Sequence, residues 1–188
     1  MAVKQFSVSE VLTASDTNTY LANSGLVYVT SATVGTGVSS VTVSNCFNST
    51  YDNYRIVVSG IGLSGTSSFR MQLSNSTGGT YQQAGTYQIF GSATLSVYSP
   101  GLFVQWTDIL PGDTTTNAGV VEMFQPYLTK ATMATSSGIR VGASNTYYSF
   151  WNIDTNAVSN TGFTLGLITG GVTMTGGTIT VYGYRKGN

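Results

Sequence analysis

Five carboxylates in the body of this chain, Asp52, Asp108, Asp113, Glu122 and Asp154, are the side chains best suited to chemistry. Two of them converging across a bond could hydrolyse a glycoside by acid–base catalysis. Their settings argue for other roles. Asp113 closes Pro111-Gly112-Asp113 and Asp52 sits in Tyr51-Asp52-Asn53. Both tripeptides read as turns, in which an Asp side chain hydrogen-bonds nearby backbone. Asp108, Glu122 and Asp154 can meet only if the topology brings them together. A small polysaccharide-cleaving enzyme relying on Glu122 is therefore the most remote reading.

Other chemistries are excluded more firmly. The chain has no His, which removes Ser-His-Asp and Cys-His nucleophiles. Cys46 is the one cysteine, so no disulfide forms within the chain and no thiolate–imidazole metal cluster can be built. It reads as a small buried hydrophobe at a strand end. Calcium is excluded less firmly, since loop Asp and backbone carbonyls suffice for such a site, yet no Asp-x-Asp-x-Asp run or Gly-Asp repeat is present. Gly60-Ile61-Gly62 and the glycines of 166–171 lack the Lys-Ser/Thr of a phosphate loop. The expectation is a chain with no catalytic residue, no metal and no cofactor.

Aromatic residues remain: 12 Tyr, 8 Phe and 2 Trp. In Tyr147-Tyr148-Ser149-Phe150-Trp151, strand alternation puts Tyr148 and Phe150 on one face and Tyr147 and Trp151 on the other. One face can fill a core. The other stacks on a sugar ring or is buried by a neighbouring subunit, and the subunit reading is favoured. Trp106 and Tyr87 carry the same two readings.

These residues must be held by strands. Only 7% of the 188 residues are charged, against roughly 25% in ordinary soluble domains. Ser, Thr, Asn, Gln and 23 Gly take their place. Helices show water a face of Lys and Glu, whereas Thr, Val and Tyr favour strands. Thirteen candidate strands follow: 26–30, 38–46, 54–61, 67–74, 82–90, 92–98, 102–109, 118–128, 131–136, 138–143, 146–153, 162–168 and 178–184. Turn residues separate them, as in Ser64-Gly65-Thr66, Thr77-Gly78-Gly79 and Gly176-Gly177. Many short strands at close spacing predict an all-β fold, an antiparallel β-sandwich of jelly-roll type over 26–188. Residues 33–37 read as a flexible connection. Residues 1–25 form a separate N-terminal segment with a short helix at 14–22, begun by Thr13 and Asp16 at capping-box spacing.

Charge and segments bound the partners. Seven basic residues balance seven acidic ones and are scattered, so nucleic-acid binding is not expected. A net charge of zero leaves little repulsion between copies, which favours self-association. No apolar run reaches the roughly 18 residues of a membrane span, and the opening MAVKQFSVSE lacks the apolar core of a signal peptide.

Two stretches in order resemble a known group. Val11-Leu12-Thr13-Ala14-Ser15-Asp16-Thr17-Asn18-Thr19-Tyr20-Leu21 is similar to an N-terminal segment of tailed-bacteriophage virion proteins that precedes a β-rich body. Tyr51-Asp52-Asn53-Tyr54-Arg55-Ile56-Val57-Val58-Ser59, then Phe69-Arg70-Met71-Gln72-Leu73, resembles the body of small phage tail-fibre or structural proteins. The ending at 177–184 fits the last strand of that group. The resemblance implies a non-enzymatic virion protein made in the host cytoplasm, often a homotrimer. Docking onto other tail or capsid proteins would fall to Val11, Leu12, Asp16, Tyr20 and Leu21. A short tail-fibre knob that touches host-surface glycans is the first expectation, and a capsid decoration protein the alternative. No coiled-coil or β-helical shaft is present, which sets this chain apart from long fibres.

Overall fold

Alternation of apolar and polar side chains runs through the sequence from Leu26 onward, and it fixes which face of each strand is buried. The computed structural model describes residues 7–11, 13, 25–98, 102–141 and 145–186. Among them the chain forms fourteen strands and no helix. They are β1 (Leu26–Thr33), β2 (Thr36–Val38), β3 (Ser40–Val43), β4 (Tyr51–Ile61), β5 (Ser67–Leu73), β6 (Tyr81–Ile89) and β7 (Leu95–Tyr98). Then come β8 (Trp106–Gly112), β9 (Asn117–Phe124), β10 (Thr132–Arg140), β11 (Thr146–Asp154), β12 (Phe163–Leu167), β13 (Met174–Thr175) and β14 (Thr178–Arg185). The helix expected at 14–22 lies outside the described residues.

An eight-stranded sheet, ordered β1-β14-β4-β9-β10-β11-β6-β7, packs on a four-stranded one, ordered β3-β12-β5-β8, with β13-β2 as a small separate pair. Every pairing is antiparallel. The chain crosses between layers in the order of a jelly roll. β3, β5, β8 and β12 form the small sheet, while β4, β6–β7 and β11 belong to the large one. The hairpin β9–β10 is inserted between β4 and β11, and β1 and β14 extend the large sheet on its far side.

The core lies between the layers. Tyr54, Ile56 and Val58 of β4, Val121 and Met123 of β9, and Ile179 and Val181 of β14 point down. Phe69, Met71 and Leu73 of β5, with Phe163 and Leu165 of β12, point up to meet them. All are essentially inaccessible to water, and full burial of each such side chain stabilises the fold by about 1.5–3 kcal/mol.

Several local expectations are corrected. Residues 33–37 are no flexible connection: Val34 is buried and its N–H donates to the Gly177 carbonyl at 2.9 Å. The two strands expected at 131–136 and 138–143 are one strand, β10, over the described residues 132–140. Gly138 lies inside it because β8 crosses so closely that a Cβ there would sit 3.0 Å from Pro111 Cδ. Pro111-Gly112 ends β8 and is not itself the turn. Proline is tolerated because β8 is an edge strand, where a missing N–H breaks no ladder on the open side. Residues 51–53 begin β4 and are not a turn, and Asp52 pairs with Lys186 at 2.8 Å. The stretch expected at 38–46 holds the end of β2 and all of β3, and Cys46 lies beyond both.

Gly177 shows how tightly the strand ends are joined. Its φ is +112°, and a Cβ there would lie 2.7 Å from Ile61 N and 2.8 Å from Gly60 C. Gly177→Ala is expected to cost at least about 2 kcal/mol, from backbone strain plus a clash with main chain that cannot swing away. An unchanged urea midpoint would show that the approach of β14 to β4 is looser than this.

Candidate functional site

The four aromatic residues singled out in the sequence separate into two environments. Trp106 is fully buried; its ring meets Tyr81 edge-on at 5.3 Å and its Nε1–H donates to the Ile153 carbonyl at 3.1 Å. It is a core residue, and its surface role is withdrawn. Tyr87 faces inward on β6, where it stacks on Tyr148 at 5.5 Å and is half-buried. Tyr148 in turn leads to Phe150, and Phe150 to Tyr98. This ladder is packing on the core side, so Tyr87 also leaves the surface set. Tyr147 and Trp151 do stand on the outer face, 42% and 57% exposed.

Antiparallel register carries Trp151 into a row across the outer face. Tyr28, Tyr182, Arg55, Glu122, Thr135, Trp151 and Ala84 are successive cross-strand partners. The two halves of the row differ in chemistry. Toward β1, the Arg55 guanidinium grips Glu122 through Nε and Nη2, and the Tyr184 hydroxyl donates to the other Glu122 oxygen at 2.7 Å. Toward β7, no outward position of β10, β11, β6 or β7 carries a charge.

On that uncharged half an open concavity of about 830 Å³ lies over β10, β11 and β6. Trp151, Ile153, Met133, Phe124 and Leu102 form its apolar lining, with Gln82 and Thr135 among the few polar contributors. Leu95, Val97 and Ile139 project nearby on the same face, exposed at 57%, 78% and 45%. Sequence reading missed Met133, Ile153 and Leu102. The alternation of Met133, Thr135, Ser137 and Ile139 becomes visible once 132–140 is taken as one strand.

Glu122 and Asp154 do not converge. Glu122 lies on the outer face of the large sheet, while Asp154 is buried on its inner face. One Asp154 oxygen accepts from Thr80 Oγ1 at 2.6 Å and from the Asn156 N–H at 3.1 Å. Asp108 accepts from the Tyr98 hydroxyl at 3.1 Å. Asp113 accepts from Thr66 Oγ1 and from the Thr114 N–H, and its backbone is held by buried Asn117. Each acid thus serves a different local contact. Among the described residues no group of three or more Cys, Asp or Glu is placed to hold a metal ion.

Two titratable groups are strongly displaced in the core. Burial pushes the Cys46 thiol up to about 12, although its own backbone hydrogen bonding opposes this. Burial likewise raises Tyr54 to about 12, against the opposing hydrogen bond to Asn48. The Tyr54 hydroxyl donates to the Asn48 carbonyl at 3.0 Å and accepts from the Asn48 N–H at 2.8 Å. Neither group is reachable as a nucleophile or proton shuttle.

Of the docking residues, Val11 is described and is 78% exposed; Leu12, Asp16, Tyr20 and Leu21 lie outside the described residues. Val8 beside it is 99% exposed, in a turn where the Glu10 N–H donates to the Ser7 carbonyl. No described helix is long and apolar enough to cross a membrane. No protein-family model matches the chain, and neither a curated protein nor a solved structure does.

Proposed function

We propose that this chain is a non-enzymatic structural protein of a bacteriophage particle: a short tail-fibre or appendage knob, homotrimeric, docked through its N-terminal segment. The observation that carries the reading is the exposure of Val8 and Val11 ahead of the sandwich. Apolar side chains held off the body that follows them suit a segment whose burial comes from another protein. The resemblance of 11–21 to virion docking segments supports the same assignment. Trp151 stands among apolar neighbours on the outer face, which favours a subunit contact there over a sugar, since sugar recognition calls for convergent polar groups.

A second reading, capsid decoration, is favoured by the uncharged sheet half, which could equally pack on a shell. Copy number separates the two: proportion to shell subunits means decoration, and proportion to the tail means an appendage. Docking is tested with the full chain carrying Val11→Asp and Leu21→Asp, scored by mass spectrometry of purified particles. Incorporation is expected to be lost while the isolated protein keeps its strand circular dichroism. Absence of the unaltered chain from particles, or normal incorporation of the double variant, overturns the proposal.

A further inference from the structure

We infer that the uncharged outer half-face built by β6, β7, β10 and β11 is the contact between copies of this chain. The inference rests on the reading of this protein as a self-assembling one. Its test needs no particle, however, so it can fail while docking holds, and the reverse.

Area is the first argument. Leu95, Val97, Met133, Ile139, Tyr147 and Trp151 are each exposed by between 42% and 78%. At roughly 90 Å² apiece they offer on the order of 500 Å² of apolar side chain. Gln82, Ala84, Thr86 and Thr135 lie between them and are neutral. Together the face approaches the roughly 800 Å² per partner of a stable interface, and its apolar part lies toward the upper end of what a lone protein leaves wet, roughly 300–600 Å².

Charge is the second argument, and it selects the occupant. A partner rich in Lys or Glu would have to strip water from charges that this face cannot pair. A second copy brings the same uncharged surface, so nothing is left unpaired and nothing repels. The depletion of charge matches the centre of a protein interface. The edge points the same way. β7 ends the large sheet, and Leu95–Tyr98 contains neither the charge nor the Pro that proteins place on edges meant to stay free. The charged residues of the outer face, Arg55 and Glu122, lie on the other half and pair with each other.

Sedimentation velocity and light scattering on the full chain test this directly. The expected mass is a whole multiple of 19.7 kDa above one. Val97→Lys and, separately, Trp151→Lys place an unpaired charge on the face at exposed positions that the protomer's core does not use. Each is expected to raise the dissociation constant at least about a hundredfold with folding intact by circular dichroism. Ser31→Lys, on β1 at the opposite end of the sheet, is expected to leave the mass unchanged. Trp151 emission should move to longer wavelength on dilution, read in a Trp106→Phe background. A monomeric unaltered chain, or oligomers indifferent to both face substitutions, overturns the inference. So does a monomer whose Trp151 emission responds only to host-surface oligosaccharides, which would hand the face to a sugar.

Discussion

Replacing Trp106 with Ala is expected to lower the unfolding free energy by about 3–5 kcal/mol, a large part of what a domain of this size has to lose. The side chain is fully buried between the layers, packs edge-on against Tyr81 and satisfies the Ile153 carbonyl. Its removal leaves a cavity, a lost hydrogen bond to Ile153 and a lost aromatic contact, and a rigid sandwich closes over such gaps poorly. Trp151→Ala, measured on dissociated protomer, is expected to change stability by less than about 1 kcal/mol, because that ring is 57% exposed. Urea unfolding of the two variants, compared at equal slope, checks both values. Similar losses for both would mean that the two tryptophans are not divided between core and surface.

The second large effect is alkaline unfolding. Cys46 and Tyr54 are both held at about 12, above ordinary values of 9.0 and 10.0. Each is neutral when protonated, and burial favours that form. Folding therefore retains protons that the unfolded chain releases, so stability is full below pH 9 and is lost as pH rises toward 12. The thiol alone accounts for on the order of 4 kcal/mol across that window, and Tyr54, displaced less, for on the order of 3 kcal/mol. The protein is expected to unfold cooperatively between pH 9 and 12. Cys46→Ala should flatten the lower part of that decline and Tyr54→Phe the upper part, read as urea midpoints against pH. A decline that neither substitution alters would place its origin elsewhere.

The same two groups show how far the sequence reaches. Burial of Cys46 was legible from its strand context and from the lack of any activating neighbour. The displacement of Tyr54 was not, because it depends on the small sheet closing over β4. Tyr147 and Trp151 were assigned to one face, and Tyr148 and Phe150 to the other, by alternation alone, and the structure divides them the same way. Trp106 drew a surface reading because the expected strand 102–109 carries apolar residues on both faces and so does not orient it.

Local chemistry determined a good deal by itself: an all-β sandwich, the absence of a His-based site, most of the strands and the in–out sense of β11. These follow from composition and from a period of two, which act within a few residues. Tertiary structure alone decided the rest. It inserted β9–β10 between β4 and β11, made 132–140 one strand by laying β8 against Gly138, and sent Glu122 and Asp154 to opposite faces. It also brought Met133 of β10 and Leu102 to the face that carries Trp151. Such pairings link positions far apart in the chain, and no short-range pattern encodes which strand lies beside which.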